Sequence, residues 1–267
     1  MTDFPIFESD AWRLTDQERK LTDQARELGE TRFADRAARY DRDAEFPIEN
    51  YRDLHSAGLL GICIPTEYGG LGANLRAYAL AAAEIGRYCG ATALTWNMHV
   101  CSCLWSGALA DDLEMDGVSR KRHHDTRAVH YRRILDDGAI YAQPFSEGGS
   151  AAAGTVAFST TAIRSDGGWV VRGKKIFASL AGSADYYGTL CTELEHADDK
   201  PSRSNTLYLA VPAKAEGVRV VGDWDPLGMR ATVSRTLLFE EDFVPDGPNC
   251  CHPVFTFRQP AAGRICS

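Results

Sequence analysis

Tyr141-Ala142-Gln143-Pro144-Phe145-Ser146-Glu147-Gly148-Gly149-Ser150 and, about thirty residues on, Lys174-Lys175-Ile176-Phe177-Ala178-Ser179-Leu180-Ala181-Gly182-Ser183-Ala184-Asp185 stand where the chain changes character. Before Gly138 the sequence reads as helices joined by short turns, and after it as short β-rich runs. Residues 155–164 and 169–177 are joined through Asp166-Gly167-Gly168, a hairpin signal because glycine accepts the positive φ of a tight turn. Further strands are expected at 186–191, 206–211, 218–221 and 235–239, so residues 138–246 read as one compact β-domain.

Working back toward the N-terminus, Thr15-Asp16-Gln17-Glu18 has the capping-box pattern, and Leu14, Leu21, Ala25 and Leu28 then form one apolar stripe. Pro47 suits the first turn of a second helix that Gly58 ends. Asn74 caps a third, 75–89, with Gly90 at its C-terminal end, and a fourth apolar helix covers 91–109. Residues 119–136 are polar and Arg-rich, as expected of a helix lying across the surface. Gly69-Gly70-Leu71-Gly72 lacks the third glycine of a dinucleotide loop and follows Pro65 rather than a strand, so it reads as a loop between helices.

Composition narrows the function classes. The chain of 267 residues carries a formal charge of -8, with Arg36, Arg39 and Arg42 interleaved among Asp35, Asp41 and Asp43, which argues against a nucleic-acid partner. Neither a membrane span nor a basic-then-apolar leader is visible, so a cytoplasmic protein is expected. The eight cysteines show no C-x-x-C pair. Cys250-Cys251-His252 and the group His123, His124 and His130 do not complete four-coordinate spacing, so no metal is expected. The chain shows no internal repeat and no low-complexity segment.

The two opening stretches resemble the flavin-contacting segments of the acyl-CoA dehydrogenase family. Trp224-Asp225-Pro226-Leu227-Gly228-Met229-Arg230-Ala231-Thr232, running into Leu237-Leu238-Phe239 and Val244-Pro245, resembles the last strands of that family's β-domain. Phe46-Pro47 and the run 58–72 resemble the loop between its early helices. The resemblance implies an all-α N-terminal domain (1–137) and a middle β-barrel or sandwich domain (138–246) binding FAD and acyl-CoA. A tail (247–267) then stands where the family has a four-helix bundle.

By the same resemblance, Phe145-Ser146-Glu147 takes the place of a V-T-E-like triplet, putting the Phe145 backbone and the Ser146 hydroxyl at the flavin's pyrimidine edge. Phe177-Ala178-Ser179 takes the place of a W-I-T-like triplet, with Phe177 against the ring and the Ser179 hydroxyl near its reactive nitrogen. Ser150 is the candidate for a serine that meets the flavin phosphate or the substrate. The family's proline after the glutamate is replaced by Gly148, and its tryptophan by Phe177, which keeps a ring face and loses the indole donor.

The implied activity is α,β-dehydrogenation of an acyl-CoA thioester, with an electron-transfer flavoprotein as acceptor and a homo-oligomeric assembly. A flavin monooxygenase on the same scaffold and a non-catalytic fragment are the rival readings. No residue is assigned as the catalytic base, since no glutamate lies beyond Glu241. Back-translation of 247–267 in a shifted frame permits a family-like continuation with two leucines forced by Cys250 and Cys251, so a frameshift after Asp246 is expected. Exposing an apolar interface on the order of 1,000 Å² would forfeit up to ~25 kcal/mol, against a typical stability of roughly 5–15 kcal/mol. The chain alone is therefore expected to be poorly soluble and inactive.

Overall fold

A computed structural model describes residues 13–106, 111, 114–149 and 156–247. Ser150, Cys250, Cys251, His252 and the 247–267 tail beyond Gly247, about which the sequence raised expectations, lie outside them. Helices α1 (Asp16–Leu28), α2 (Ala34–Asp43), α3 (Ile48–Ser56), α4 (Leu75–Tyr88), α5 (Gly90–Ser106) and α6 (Gly117–Asp137) precede seven strands: β1 (Tyr141–Ala142), β2 (Thr161–Ser165), β3 (Gly168–Ala178), β4 (Tyr186–Leu194), β5 (Thr206–Pro212), β6 (Val218–Val221) and β7 (Arg235–Pro245). No helix among the described residues is long and apolar enough to cross a membrane.

Thr15 caps α1 as its sequence requires: its side chain accepts from the Glu18 amide, and Glu18 accepts in return from the Thr15 amide. Leu21 and Ala25 are buried against α4, and a π-helical turn, Gly29–Phe33, carries the chain into α2. A methyl group at Gly29 would stand 2.1 Å from the Tyr88 ring, so glycine is what lets α1 and α4 approach. Asn74 accepts from the Ala77 amide at the start of α4. Gly90 opens α5 rather than ending α4, because Cys89, extended at φ -148, breaks the helix first. Pro47 stands just before the first turn of α3, not inside it.

Two further expectations are corrected. Helix α6 does not merely cross the surface: His123, Arg127, His130, Tyr131 and Ile134 are buried. The Arg127 guanidinium is accommodated by Asp111 at 2.6 Å and by the Tyr68 ring beneath it. The strand expected from 155 begins only at Thr161, since the amides of Ser159 and Thr160 are spent on the Glu147 carboxylate rather than on a ladder.

The loop Gly69-Gly70-Leu71-Gly72 joins helices, as expected, and its glycines have a packing reason. A Cβ on Gly70 would lie 2.1 Å from the Ile64 carbonyl oxygen, while Gly149 has open space around it. Gly70→Ala is expected to cost about 1–3 kcal/mol and Gly149→Ala almost nothing in urea denaturation. Equal midpoints for the two variants would contradict this packing.

The strands form one sheet in the order β1-β4-β2-β3-β7-β6, with β5 on the other side of β4. The hairpin between β2 and β3 closes through Asp166-Gly167, with Gly167 at φ 72 and Ser165 facing Gly168. The core runs without a break from the helices into the sheet. His99 on α5 is one pin between them: its Nε2 donates to the Leu60 carbonyl and its Nδ1 accepts from the Tyr141 amide. Burial lowers this imidazole to about 4, which keeps it neutral and able to accept.

Two bulges interrupt the β3/β7 pairing. Glu240 and Glu241 intrude between the pairs Gly173↔Phe239 and Val171↔Asp242, with Glu241 at φ 57. The extra residue reverses the alternation, leaving Phe243 46% exposed and burying Asp242 at 2%. At the second bulge Ile176 and Phe177 oppose a single residue, Thr236, between Lys175↔Leu237 and Ala178↔Arg235.

Candidate functional site

The second bulge brings the two opening stretches together. Ile176, released from β7, donates its amide to the Ser146 carbonyl at 2.8 Å. Phe177, its neighbour, takes φ 51 and stands 67% exposed, an apolar ring held out to solvent on strained backbone. Leu180 (φ 67), Met229 (φ 61) and Val233 (φ 44) are strained in the same way, and the Leu180 amide donates to the Thr232 carbonyl. Two strained turns thus face one another across a hydrogen bond, and left-handed φ at a β-branched valine persists only where its surroundings impose it.

Beneath these turns lies a buried ion pair. Lys175, 0% exposed, donates from Nζ to Glu147 Oε1 and to the Leu190 carbonyl, both at 2.6 Å, with the Phe158 ring 4.5 Å away. The second Glu147 oxygen accepts from the Ser159 amide and hydroxyl, and Oε1 also accepts from the Thr160 amide. Burial works to raise the Glu147 carboxyl, but the Lys175 charge and these hydrogen bonds outweigh it and hold the group at about 2. Burial in turn lowers the Lys175 ammonium, against the pull of Glu147. The pair ties the Glu147 segment to the Lys175 segment and so sets the distance between Ser146 and Phe177.

Of the residues expected from sequence, Phe145, Ser146, Phe177, Ala178 and Ser179 gather at this bulge. Phe145 and Ser146 are half-buried. Ala178 is fully buried and places its neighbours rather than a contact of its own. The Ser179 hydroxyl is bonded to Ser234 Oγ at 2.9 Å, which is bonded to Thr232 Oγ1 at 2.7 Å, and that hydroxyl donates to the Met229 carbonyl. Ser234 was not singled out in the sequence, and Thr232 only as the last residue of the Trp224–Thr232 stretch, which was the signal that could have found both. Trp224 stands edge-on to Phe177 with ring centroids 6.2 Å apart.

An isoalloxazine ring needs an apolar or aromatic face and hydrogen-bonding groups at its polar edge. An exposed phenyl ring on strained backbone, flanked by backbone and hydroxyl groups of Ser146 and Ser179, fits that chemistry. Among the described residues no group of three or more His, Cys, Asp or Glu is placed to hold a metal ion.

Comparison with known proteins agrees with this geometry. Residues 15–109 match the family model "Acyl-CoA dehydrogenase, N-terminal domain" and residues 145–241 match "Acyl-CoA dehydrogenase, middle domain". The chain is 26% identical over 250 residues to "Probable acyl-CoA dehydrogenase YngJ" of Bacillus subtilis, covering 93% of this chain and 61% of that protein. It is 29% identical over 219 residues to L-evernosamine nitrososynthase of a Micromonospora species, covering 78% of this chain and 46% of that one. It therefore spans roughly half to three-fifths of the length of these relatives.

Among solved structures, KijD3 in complex with FMN and a dTDP-amino-keto sugar superposes with a TM-score of 0.74 at 25% identity, over 90% of this chain and 55% of that one. Butyryl-CoA dehydrogenase of Megasphaera elsdenii superposes with a TM-score of 0.72 at 19% identity, over 90% and 59%, which speaks for the fold alone. With the N-terminal and middle family models together matching most of its length, helices before a curled sheet and the two opening stretches joined at one bulge, the chain belongs to the acyl-CoA dehydrogenase family, whose members bind FAD.

Proposed function

We propose that the protein takes part in FAD-dependent α,β-dehydrogenation of an acyl-CoA thioester. The observation that carries this reading is Phe177, an exposed aromatic ring on strained backbone at the meeting point of the two flavin segments. FAD, when bound, supplies the hydride acceptor. The chain's own residues bind and orient. Phe177 offers the ring face, the Phe145 backbone and Ser146 the pyrimidine edge, and Ser179 a hydroxyl whose other partner is Ser234. The Glu147–Lys175 pair holds these groups in register. Ser150 is proposed to meet the flavin phosphate or the substrate, an electron-transfer flavoprotein to accept the electrons, and the assembly to be homo-oligomeric. No carboxylate is assigned to removal of the α-proton.

The 29% identity to a nitrososynthase supports a second reading, flavin-dependent oxygenation on the same scaffold, as does Gly148-Gly149 in place of the family's proline. Anaerobic mixing of butyryl-CoA with an FAD-loaded full-length relative, since this chain alone is expected to be inactive, separates the two. Dehydrogenation is expected to bleach the flavin's visible band and yield the 2,3-enoyl thioester. Product formed only with reduced flavin and oxygen, and carrying an added oxygen atom, would overturn the reading in favour of oxygenation.

A further inference from the structure

The wall beside Phe177 is fastened from the other layer of the molecule. Asp41 lies in the last turn of α2, where a carboxylate opposes the helix dipole and the final carbonyls lack helical partners. Arg230 meets both needs. Its amide donates to Asp41 Oδ1 at 3.0 Å, its Nη2 meets Asp41 Oδ2, and its Nε donates to the Asp41 carbonyl at 2.8 Å. The remaining guanidinium nitrogen, Nη1, turns the other way and donates to the carbonyls of Leu227 at 3.0 Å and Pro226 at 3.3 Å. One side chain thus bridges the C-terminus of a helix to residues 224–229, the loop that carries Trp224 to the edge of Phe177.

The loop has little else to hold it. Leu227 is 101% exposed, and Met229 reaches back to the start of α5, where its sulfur would lie 3.2 Å from a Cβ on Gly90. Its remaining fastening is local: the Met229 carbonyl accepts from the Thr232 amide at 3.1 Å and hydroxyl at 2.9 Å, and from Trp224 Nε1 at 3.4 Å, long for a strong bond. Left-handed backbone at Met229 and Val233 also has to be imposed from outside the turn, and Arg230 lies between the two.

We propose that Arg230 is a positioning residue and Asp41 its anchor: together they fix the 224–229 loop, and with it Trp224, as the wall of the Phe177 site. The helical layer then governs the site's width without touching a ligand. This rests on the reading of the Phe177 face as the flavin site, but the latch itself can be tested without flavin.

Hydrogen exchange of the 267-residue protein, followed by mass spectrometry, is compared for wild type, Asp41→Asn, Asp41→Glu and Arg230→Lys. Asp41→Asn and Arg230→Lys are expected to speed exchange in peptides spanning 224–233 by about 10-fold or more, the order of one lost charge-assisted bond, while β4 and β5 keep their protection. Asp41→Glu should restore part of that protection. With FAD bound at saturation, emission of the bound flavin should be stronger in Asp41→Asn, because Trp224 no longer sits where it quenches. Unchanged exchange at 224–233 in Asp41→Asn would overturn the latch whether or not flavin binds. Slow, latch-dependent exchange in a protein that binds no FAD would keep the latch and overturn the flavin reading instead.

Discussion

Lys175→Met is expected to lower stability by about 3–5 kcal/mol, the cost of leaving a carboxylate buried without its counter-ion. Glu147 would keep the Ser159 and Thr160 donors but lose the charge 2.6 Å away, in a place where solvent does not reach. The Leu190 carbonyl would lose its donor at the same time. Guanidinium or thermal denaturation measures the loss. Removing the charge from both partners, Lys175→Met with Glu147→Gln, should recover a large part of it, since a neutral amide needs no counter-ion and can still accept from one amide. The acid limb of the stability profile carries a second signature. A carboxyl depressed from 4.5 to about 2 contributes stability that is complete above 4.5 and is lost as pH falls through about 2. Lys175→Met should flatten that limb. Single and double variants of equal stability, with unaltered acid limbs, would show that the pair stabilises nothing.

Asp242→Asn should act in the opposite direction. The bulge at Glu240 and Glu241 turns this aspartate inward, where its Oδ2 has no hydrogen-bond partner. Burial raises the carboxyl from 3.8 to about 6, against a hydrogen bond from the Gly217 backbone that lowers it. A carboxyl raised in the folded state favours folding only while it is protonated: its contribution is full below 3.8 and is lost as pH rises through about 6. The difference corresponds to something on the order of 3 kcal/mol at neutral pH. Asparagine removes the buried charge, so the variant should be more stable than wild type at pH above about 6 and indistinguishable from it in acid. A variant that is less stable than wild type at alkaline pH would contradict the burial of an unpaired carboxylate.

These two residues also show what sequence could and could not reveal. The Thr15 capping box, the Asn74 cap and the Asp166-Gly167 hairpin were legible because each depends on residues within a few positions of one another. Helix α2 was missed: only Tyr40 within it is buried, and Arg36, Arg39 and Arg42 alternating with aspartates hide so thin an apolar stripe. The bulges were not legible, because whether Glu240-Glu241 or Ile176-Phe177 is the doubled pair depends on the partner strand's register. They also decide what matters most, burying Asp242 and exposing Phe177. The candidate site residues were expected from their local motif. Thr232, Ser234 and the Asp41–Arg230 contact, which joins residues 189 apart, were not, since no local pattern encodes a contact of that range. The Ser179 hydroxyl was expected at a flavin edge, and its engagement with Ser234 could be read only from the fold.

The claim on which everything rests is that the strained turn at Phe177 is a flavin site. Titration of FAD into the flavin-free protein, followed by flavin fluorescence with Phe177→Ala alongside, tests it most directly. Saturable binding with one flavin per chain, weakened about 10-fold by loss of the ring, is the expected result, since an aromatic contact of this kind contributes roughly 0.5–1.5 kcal/mol beyond the area it buries. Absence of saturable binding, or equal affinity in the two proteins, would contradict it.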